Sequence, residues 1–240
     1  MGMKVNEIFG PTIQGEGKSI GMRTMFLRTA NCNLACGWCD TPYTWNWLGT
    51  KFKHPEKYDR RKEVHDWSQN KIIAKLQEKK PVLKRLVITG GEPMLQQDEV
   101  TELLKLLKKD SYWVEIETNG TIEPTDEFLE LIDQINCSPK TSNSGSDNTL
   151  KMRERPIALR KLASSDKTFF KFVVQGERDL PEIQDLISRY SMRKVYLMAE
   201  GRTSEEQRKM DGEVLEMCLK NGFSFSPRLH ILLWNRARGV

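Results

Sequence analysis

The chain has 240 residues, which suits one domain or two small ones. Apolar residues make up 38% and charged residues 30%, and interrupted apolar runs such as FFKFVV are far too short to span a bilayer, so a helical membrane protein is excluded. The net charge of +5 is spread among acids, which argues against a nucleic-acid stripe; the most basic runs, 57–62 and 228–238, read as solvated surface. The opening MGMKVNEIFG lacks the apolar stretch of a secretory leader, so the expectation is a cytoplasmic protein with no membrane and no nucleic-acid partner.

In chain order, TMFLRTA (24–30) is a strand candidate that runs into a cysteine cluster. A polar segment with aromatics follows from Thr41 to about Arg61. Residues 64–80 have helical periodicity and end before Pro81. RLVITGG is a second strand with its loop, and 98–109 is an amphipathic helix with leucines at helical spacing. YWVEIETNG is a third strand. TDEFLELI is a short helix with Thr125 or Asp126 as its N-cap. QINCSPK is a fourth strand, followed by TSNSGSDNTLKMRER, expected to be a mobile loop. PIALRKLA opens a helix with Pro156 in its first turn. TFFKFVV is a fifth strand, PEIQDLISRY a helix and KVYLMAE a sixth strand. The helix from Ser204 stops near Gly222. Strands alternating with helices imply a parallel sheet covered by helices: an open or partial barrel, with a doubly wound sheet as the second choice.

Five cysteines are present, and three of them, Cys32, Cys36 and Cys39, fall within CNLACGWCD. Cys137 and Cys218 read as small buried hydrophobes. Soft thiolates suit zinc, copper(I) or iron–sulfur clusters. A structural zinc site would normally be closed by four ligands, and the nearest histidine, His54, lies fifteen residues past Cys39. An iron–sulfur cubane with one iron left open fits three thiols better. In a parallel α/β architecture sites gather at the C-terminal strand ends. The unusual residues fall there in succession: the cysteines, TGGEP (89–93), ETNG (117–120), SPK (138–140), QGERD (175–179) and AEGR (199–202). In TGGEP the paired glycines would let backbone approach a ligand, and Glu92 could accept a hydrogen bond from an ammonium; the plain alternative is a tight turn.

Cys-x3-Cys-x2-Cys after one strand and Gly-Gly-Glu-Pro after the next resemble the radical S-adenosylmethionine superfamily. Trp38, just before the third cysteine, fits that pattern. More narrowly, VNEIFGPTIQGEG, LRTANCNLACGWCDT, ETNGT, SPK, KFVV and PRLHILLWNRARGV are similar to the 7-carboxy-7-deazaguanine synthase family. The resemblance implies a single domain over 1–240 with a modified partial (β/α)6 barrel, working as a homodimer. It implies conversion of 6-carboxy-5,6,7,8-tetrahydropterin to 7-carboxy-7-deazaguanine with loss of ammonia, in 7-deazapurine (queuosine-type) biosynthesis. The implied cofactors are a [4Fe–4S] cluster, S-adenosylmethionine and Mg²⁺, with a one-electron donor such as flavodoxin as partner.

Carried over by position, the cluster ligands are Cys32, Cys36 and Cys39, and the Mg²⁺ ligand is Thr41. S-adenosylmethionine falls to Gly91, Glu92, Glu117, Asn119, Ser138, Pro139 and Lys140, and to the loop Gly176, Glu177, Arg178 and Asp179. The pterin falls to Ile13, Gln14, Gly15, Glu16, Arg28, Thr89, His230 and the carboxylate of Val240. Arg28 suits a charge-assisted pair with the substrate carboxylate. Two rivals remain: an enzyme that installs a glycyl radical on a partner protein, and a zinc-bearing nucleic-acid-binding module.

Overall fold

A computed structural model describes residues 2–240. The strands are β1 (Met3–Ile13), β2 (Arg23–Thr29), β3 (His65–Trp67), β4 (Arg85–Gly90), β5 (Trp113–Thr118), β6 (Gln134–Cys137), β7 (Thr168–Val174), β8 (Val195–Ala199) and β9 (Ser224–Phe225). The helices are α1 (Arg60–Glu63), α2 (Gln69–Glu78), α3 (Gln97–Lys109), α4 (Asp126–Leu131), α5 (Leu150–Arg153), α6 (Pro156–Ser164), α7 (Leu180–Tyr190), α8 (Ser204–Asn221) and α9 (Leu229–Trp234).

One sheet runs in the order β3-β1-β2-β4-β5-β6-β7-β8-β9. From β2 to β9 every neighbouring pair is parallel. The six expected strands appear as β2 and β4–β8, each beside the next in sequence. A doubly wound sheet would reverse its order at a switch point, and this one does not. The edges β3 and β9 stay unjoined, so the barrel is partial and open.

The pleat sends alternate residues to opposite faces, and the two faces differ in kind. Met25 and Leu27, Leu86 and Ile88, Val114 and Ile116, Phe170 and Phe172, and Leu197 point toward the helices and are fully or almost fully buried. Arg28, Thr89, Glu115, Glu117, Asn136 and Lys171 occupy the other parity and face the lumen. The lumen is polar because it is the site, and the helix-side face is the core.

Most of the expected helices form where their patterns predict. In α3 the buried Val100, Leu103, Leu104 and Leu107 follow helical spacing. Thr125 caps α4 by accepting from Phe128 N–H, and Thr203 with Glu206 forms a capping box on α8. Gly222 closes α8 in the left-handed region at φ 72°. Cys137 and Cys218 are buried as small hydrophobes.

Two elements depart from the sequence pattern. Residues 3–13 show no clean alternation, yet form β1, antiparallel to β2. Register irregularities between Val5 and Glu7 and between Phe9 and Thr12 erase the period of two. The helix expected from residue 64 starts at Gln69, where Ser68 accepts from Lys71 N–H at 3.3 Å. Residues 65–67 pair instead with Met3–Val5 at the sheet edge, a partner that local periodicity cannot reveal.

Phe172 lies at the centre of the helix-side core with no exposure. Phe172→Ala is expected to cost about 3–5 kcal/mol of unfolding free energy in a urea titration. A loss below about 1 kcal/mol would mean that this face is not one continuous core.

Candidate active site

The C-terminal strand ends open onto a cavity of about 440 Å³, lined by residues from Phe9 to Val240. Cys32, Cys36 and Cys39 face it together. Asn31, at φ 74°, turns the chain out of β2 into their loop. Gly37 N–H donates to Ser144 O at 3.0 Å, and Ala35 N–H donates to Asn148 Oδ1 at 2.7 Å. Asn148 Nδ2 donates to Cys36 Sγ at 3.3 Å, and Trp45 Nε1 donates to Cys39 Sγ at 3.3 Å. The run 141–155, expected to be mobile, is instead a hydrogen-bonded wall behind the cysteines. Its polarity serves the cysteine loop rather than solvent.

Burial pushes all three thiols up. Cys32 goes well above its usual value with Glu92 adding to the effect, Cys36 rises to about 11 against the pull of Lys140, and Cys39 rises with help from Asp40. Binding iron would therefore expel their protons. Among the described residues, no three His, Cys, Asp or Glu side chains already meet around a single ion position. Three soft donors on one loop, two of them receiving N–H bonds, suit an iron–sulfur cluster: the thiols would hold it as thiolates, and the N–H···S bonds would tune its potential. Thr41 Oγ1 lies 3.7 Å from Cys39 Sγ and lines the same cavity.

Gly91, Glu117, Asn119, Ser138 and Lys140 line the cavity beside the cysteines. A Cβ on Gly91 would fall 2.1 Å from Asn31 O. The backbone that this glycine admits is thus the cysteine loop's own. Lys140 Nζ donates to Ser138 Oγ at 2.9 Å and lies 5.5 Å from the Trp38 ring. Glu92 sits beneath the cavity, fully buried. It accepts from Asn119 N–H at 2.6 Å, Thr118 Oγ1 at 2.7 Å and Met94 N–H at 3.0 Å, so it braces the ends of β4 and β5. Pro139 and residues 176–179 are also outside the lining. Asp179 accepts from Gln175 N–H at 2.6 Å and Asn143 Nδ2 at 2.8 Å, and Arg178 donates to Gln175 Oε1 at 2.8 Å. Glu177 faces Lys220, and Gly176 starts the turn.

On the opposite wall Ile13, Gln14, Gly15, Glu16, Arg28, Thr89, His230 and Val240 all line the cavity. Gln14 is buried and donates from Nε2 to Glu115 and, at 3.2 Å, to Glu117. Thr89 Oγ1 donates to Glu117 Oε2 at 2.7 Å. Both residues therefore orient Glu117. Arg28 donates from Nε to Glu7 at 2.8 Å, lies over Phe9 at 5.1 Å and lines the cavity.

The electrostatic centre is Glu16. It pairs with Lys171 and, at 3.0 Å, with Arg228. Burial alone would raise its pKa, but Lys171 and Arg228 outweigh burial and hold the carboxyl well below the usual range. Arg228 also pairs with Asp40 and donates to Gly201 O at 2.6 Å. Burial and Arg228 lower the pKa of His230 against the pull of Glu16, so the ring stays neutral near pH 7. Gly15 admits that ring: a Cβ there would lie 2.2 Å from His230 Nδ1.

Segment 44–61 closes the cysteine side. Trp45 is buried and meets the rings of Phe52 and His54 edge-on at 5.5 and 5.8 Å. Arg202 donates to Gly37 O and contacts His54 Nε2, each at 3.0 Å. The tail lies across the opening, held by Arg236 to Glu56 at 2.6 Å and by Arg238 to Glu63 at 2.7 Å over the Tyr43 ring.

The sequence pattern singled out none of Lys171, Asp40, Trp45 and Asn148, and Arg228, read with 228–238 as solvated surface, is instead buried in ion pairs. Lys171 carried a signal, a lone charge in the apolar TFFKFVV. Asp40 stood beside the cysteines. Asn148 and Arg228 carried none, because their partners lie more than a hundred residues away.

The Radical SAM superfamily profile matches residues 26–163, more than half of the chain, and defines the class. The synthase named 7-carboxy-7-deazaguanine synthase in Pyrobaculum aerophilum is 33% identical over 99% of this chain and 97% of its own length. The one in Bacillus subtilis is 30% identical over 100% and 99%. The crystal structure of QueE from Escherichia coli superposes with a TM-score of 0.69 at 25% identity, covering 96% of this chain and 95% of that one. The chain belongs to the 7-carboxy-7-deazaguanine synthase family, and is a radical SAM enzyme.

Lys171 and Arg228 are each only 8% exposed, so Glu16→Gln would leave Lys171 without its acid and Arg228 with Asp40 alone. The expected loss is about 3–5 kcal/mol by denaturant unfolding. A carboxyl whose folded pKa is lowered gives stability above its unfolded value of 4.5 and loses it as pH falls toward the folded value. The gap between wild type and Glu16→Gln should therefore be full at neutral pH and shrink below pH 4.5. A pH-independent gap would refute the charge argument.

Proposed function

We propose that the chain converts 6-carboxy-5,6,7,8-tetrahydropterin to 7-carboxy-7-deazaguanine, releasing ammonia, within the single cavity described. The observation that carries this reading is the meeting of two walls: three thiols on one, and the Glu16, Arg28 and His230 set on the other. When bound, the cluster and S-adenosylmethionine supply one-electron reductive cleavage of a C–S bond and the hydrogen-abstracting species that results.

The chain's own residues bind, orient and exclude water. Cys32, Cys36 and Cys39 would hold the cluster, which in turn would bind and reduce S-adenosylmethionine. Gly91, Glu117, Asn119, Ser138 and Lys140 serve that cofactor, with Pro139 shaping the turn between the last two. Glu92 acts from beneath by fixing Asn119. Residues 176–179 act through Asn143, which Asp179 holds and whose backbone oxygen accepts from Trp38 Nε1 at 3.1 Å. Arg28 receives the substrate carboxylate on the free end of its fork, because Glu7 takes only Nε. Ile13, Gln14, Gly15, Thr89 and Val240 shape the pterin wall around Glu16 and His230. Thr41 gives Mg²⁺ a hard oxygen ligand beside the cluster. The tail and segment 44–61 keep water out.

A single cavity drawing on residues 9–240 supports one domain. The homodimer, the queuosine-type pathway and flavodoxin as donor rest on the family resemblance, and the cytoplasm on the composition of the first residues; among the described residues, no helix is long and apolar enough to cross a membrane. A glycyl-radical activating role is disfavoured by the near full-length similarity to 7-carboxy-7-deazaguanine synthases.

Anaerobic reconstitution with iron and sulfide, then addition of S-adenosylmethionine, Mg²⁺, dithionite and the carboxypterin, should give a product with the mass of 7-carboxy-7-deazaguanine. A colourless protein with bound zinc and no iron would sink the reading. Cys36→Ala should lose the visible cluster absorbance yet stay folded. Thr41→Val should keep that absorbance and lose stimulation by Mg²⁺; equal stimulation would remove Thr41 from the site.

A further inference from the structure

Segment 44–61 has two faces. Its inner face is aromatic: Trp45 donates to Cys39 Sγ and packs on Phe52 and His54. Its outer face is basic. Residues 51–62, KFKHPEKYDRRK, hold six basic and two acidic side chains, a net +4 against +5 for the whole chain.

The local pairing leaves that excess uncancelled. Glu56 is taken by Arg236 at 2.6 Å, and Asp59 by Arg61 at 3.0 Å. Lys57 turns inward onto Phe52 O at 2.7 Å and Thr50 Oγ1 at 2.8 Å. Lys51, Lys53, Arg60 and Lys62 remain exposed, and none has an ion-pair partner among the described residues. Phe52, between Lys51 and Lys53, is half-buried with its ring against Trp45. From this surface, Phe52 and Trp45 lead in two aromatic steps to a cluster ligand.

We propose that the outer face of residues 51–62 docks an acidic one-electron donor protein, which delivers its electron beside Cys39. The proposal rests on the radical SAM assignment, because it needs a cluster to reduce. The donor is oxidised by one electron, the cluster is reduced by one, and no bond or proton is exchanged. Charge complementarity selects an acidic partner and speeds encounter. A nucleic acid fits less well: the patch is short and backs onto a redox ligand, whereas a nucleic-acid footprint follows a longer stripe.

The test uses the reconstituted full-length protein carrying Lys51→Glu, Lys53→Glu, Arg60→Glu and Lys62→Glu together, with wild-type iron content confirmed. Bleaching of the cluster absorbance is followed in a stopped-flow instrument after mixing with fully reduced flavodoxin or with dithionite. With flavodoxin the variant should be slower by about tenfold or more, and the salt dependence of the rate should flatten. With dithionite it should match wild type. The corresponding Gln variants, which add no repulsion and are gentler on folding, should fall between. Unchanged flavodoxin rates overturn the proposal. So does equal slowing with both reductants, which would mean that the loop only shapes the cluster's surroundings. Loss of RNA-oligonucleotide binding with flavodoxin rates intact would assign the patch to nucleic acid instead. Normal bleaching without pterin product in wild type would sink the pterin reading alone.

Discussion

Arg228 ties together parts of the chain that share nothing in sequence. Its guanidinium meets Glu16 from the loop after β1, Asp40 from the cysteine loop and Gly201 O from the end of β8. Ser226 and Leu229, on either side, add bonds to Gly17 N–H at 2.8 Å and Gly15 O at 2.9 Å. A buried ion pair is weak evidence for stability, since desolvation offsets much of its attraction. Its effect here is on geometry. Asp40 stands between Cys39 and Thr41, so one guanidinium positions the cysteine loop relative to the wall that faces it. Lys171 supplies the second cation to Glu16, without which the two acids would outnumber the charges holding them.

Below the cavity the lumen continues as a polar column. Arg85 donates to Ser19 Oγ at 2.6 Å and Glu115 at 3.0 Å, and Gln134 and Asn136 join the same set. Burial raises the pKa of Glu115 even with Gln14, Ser19 and Arg85 around it. The column fixes Gln14, Gln14 with Thr89 fixes Glu117, and Glu117 looks into the cavity. A buried network in which nearly every polar group has a partner specifies one arrangement of side chains. On the lumen face this network adds to the one small apolar cluster there, Phe9, Phe26 and Val87, in holding the strands in register.

Much of this was legible in the sequence, for a reason that can be stated. The parallel core rests on local signals: alternation within each strand, helical spacing in α3, caps at Thr125 and Thr203. The strand ends converge because any right-handed β-α-β chain brings them to one side. The cysteine spacing then named the chemistry. What stayed hidden depends on pairings distant in sequence. β1 hid behind its own irregularities, and β3 behind an antiparallel partner some sixty residues away. Asn148 looked like loop polarity until Cys36 was found on the other side of it. Glu92 looked like a ligand group because the motif places it beside the cavity, and only the three donors closing on it show that it faces inward.

Radical chemistry sets two demands that conflict at the same place. Water and quenchers must be kept from the cluster, yet an electron must reach it from outside. A thick polypeptide cover would meet the first demand and defeat the second. Segment 44–61 is thin and sided. Trp45 and Phe52 present rings inward, where an indole N–H also steadies a thiolate sulfur. Asn46 holds the loop's shape through the carbonyl oxygens of His54 and Glu56, leaving the side chains of both faces free to differ. The tail seals the opposite margin through Arg236 and Arg238, whose partners Glu56 and Glu63 belong to or adjoin this same segment. Any displacement of the tail would therefore break ion pairs with the segment that closes the cysteine side.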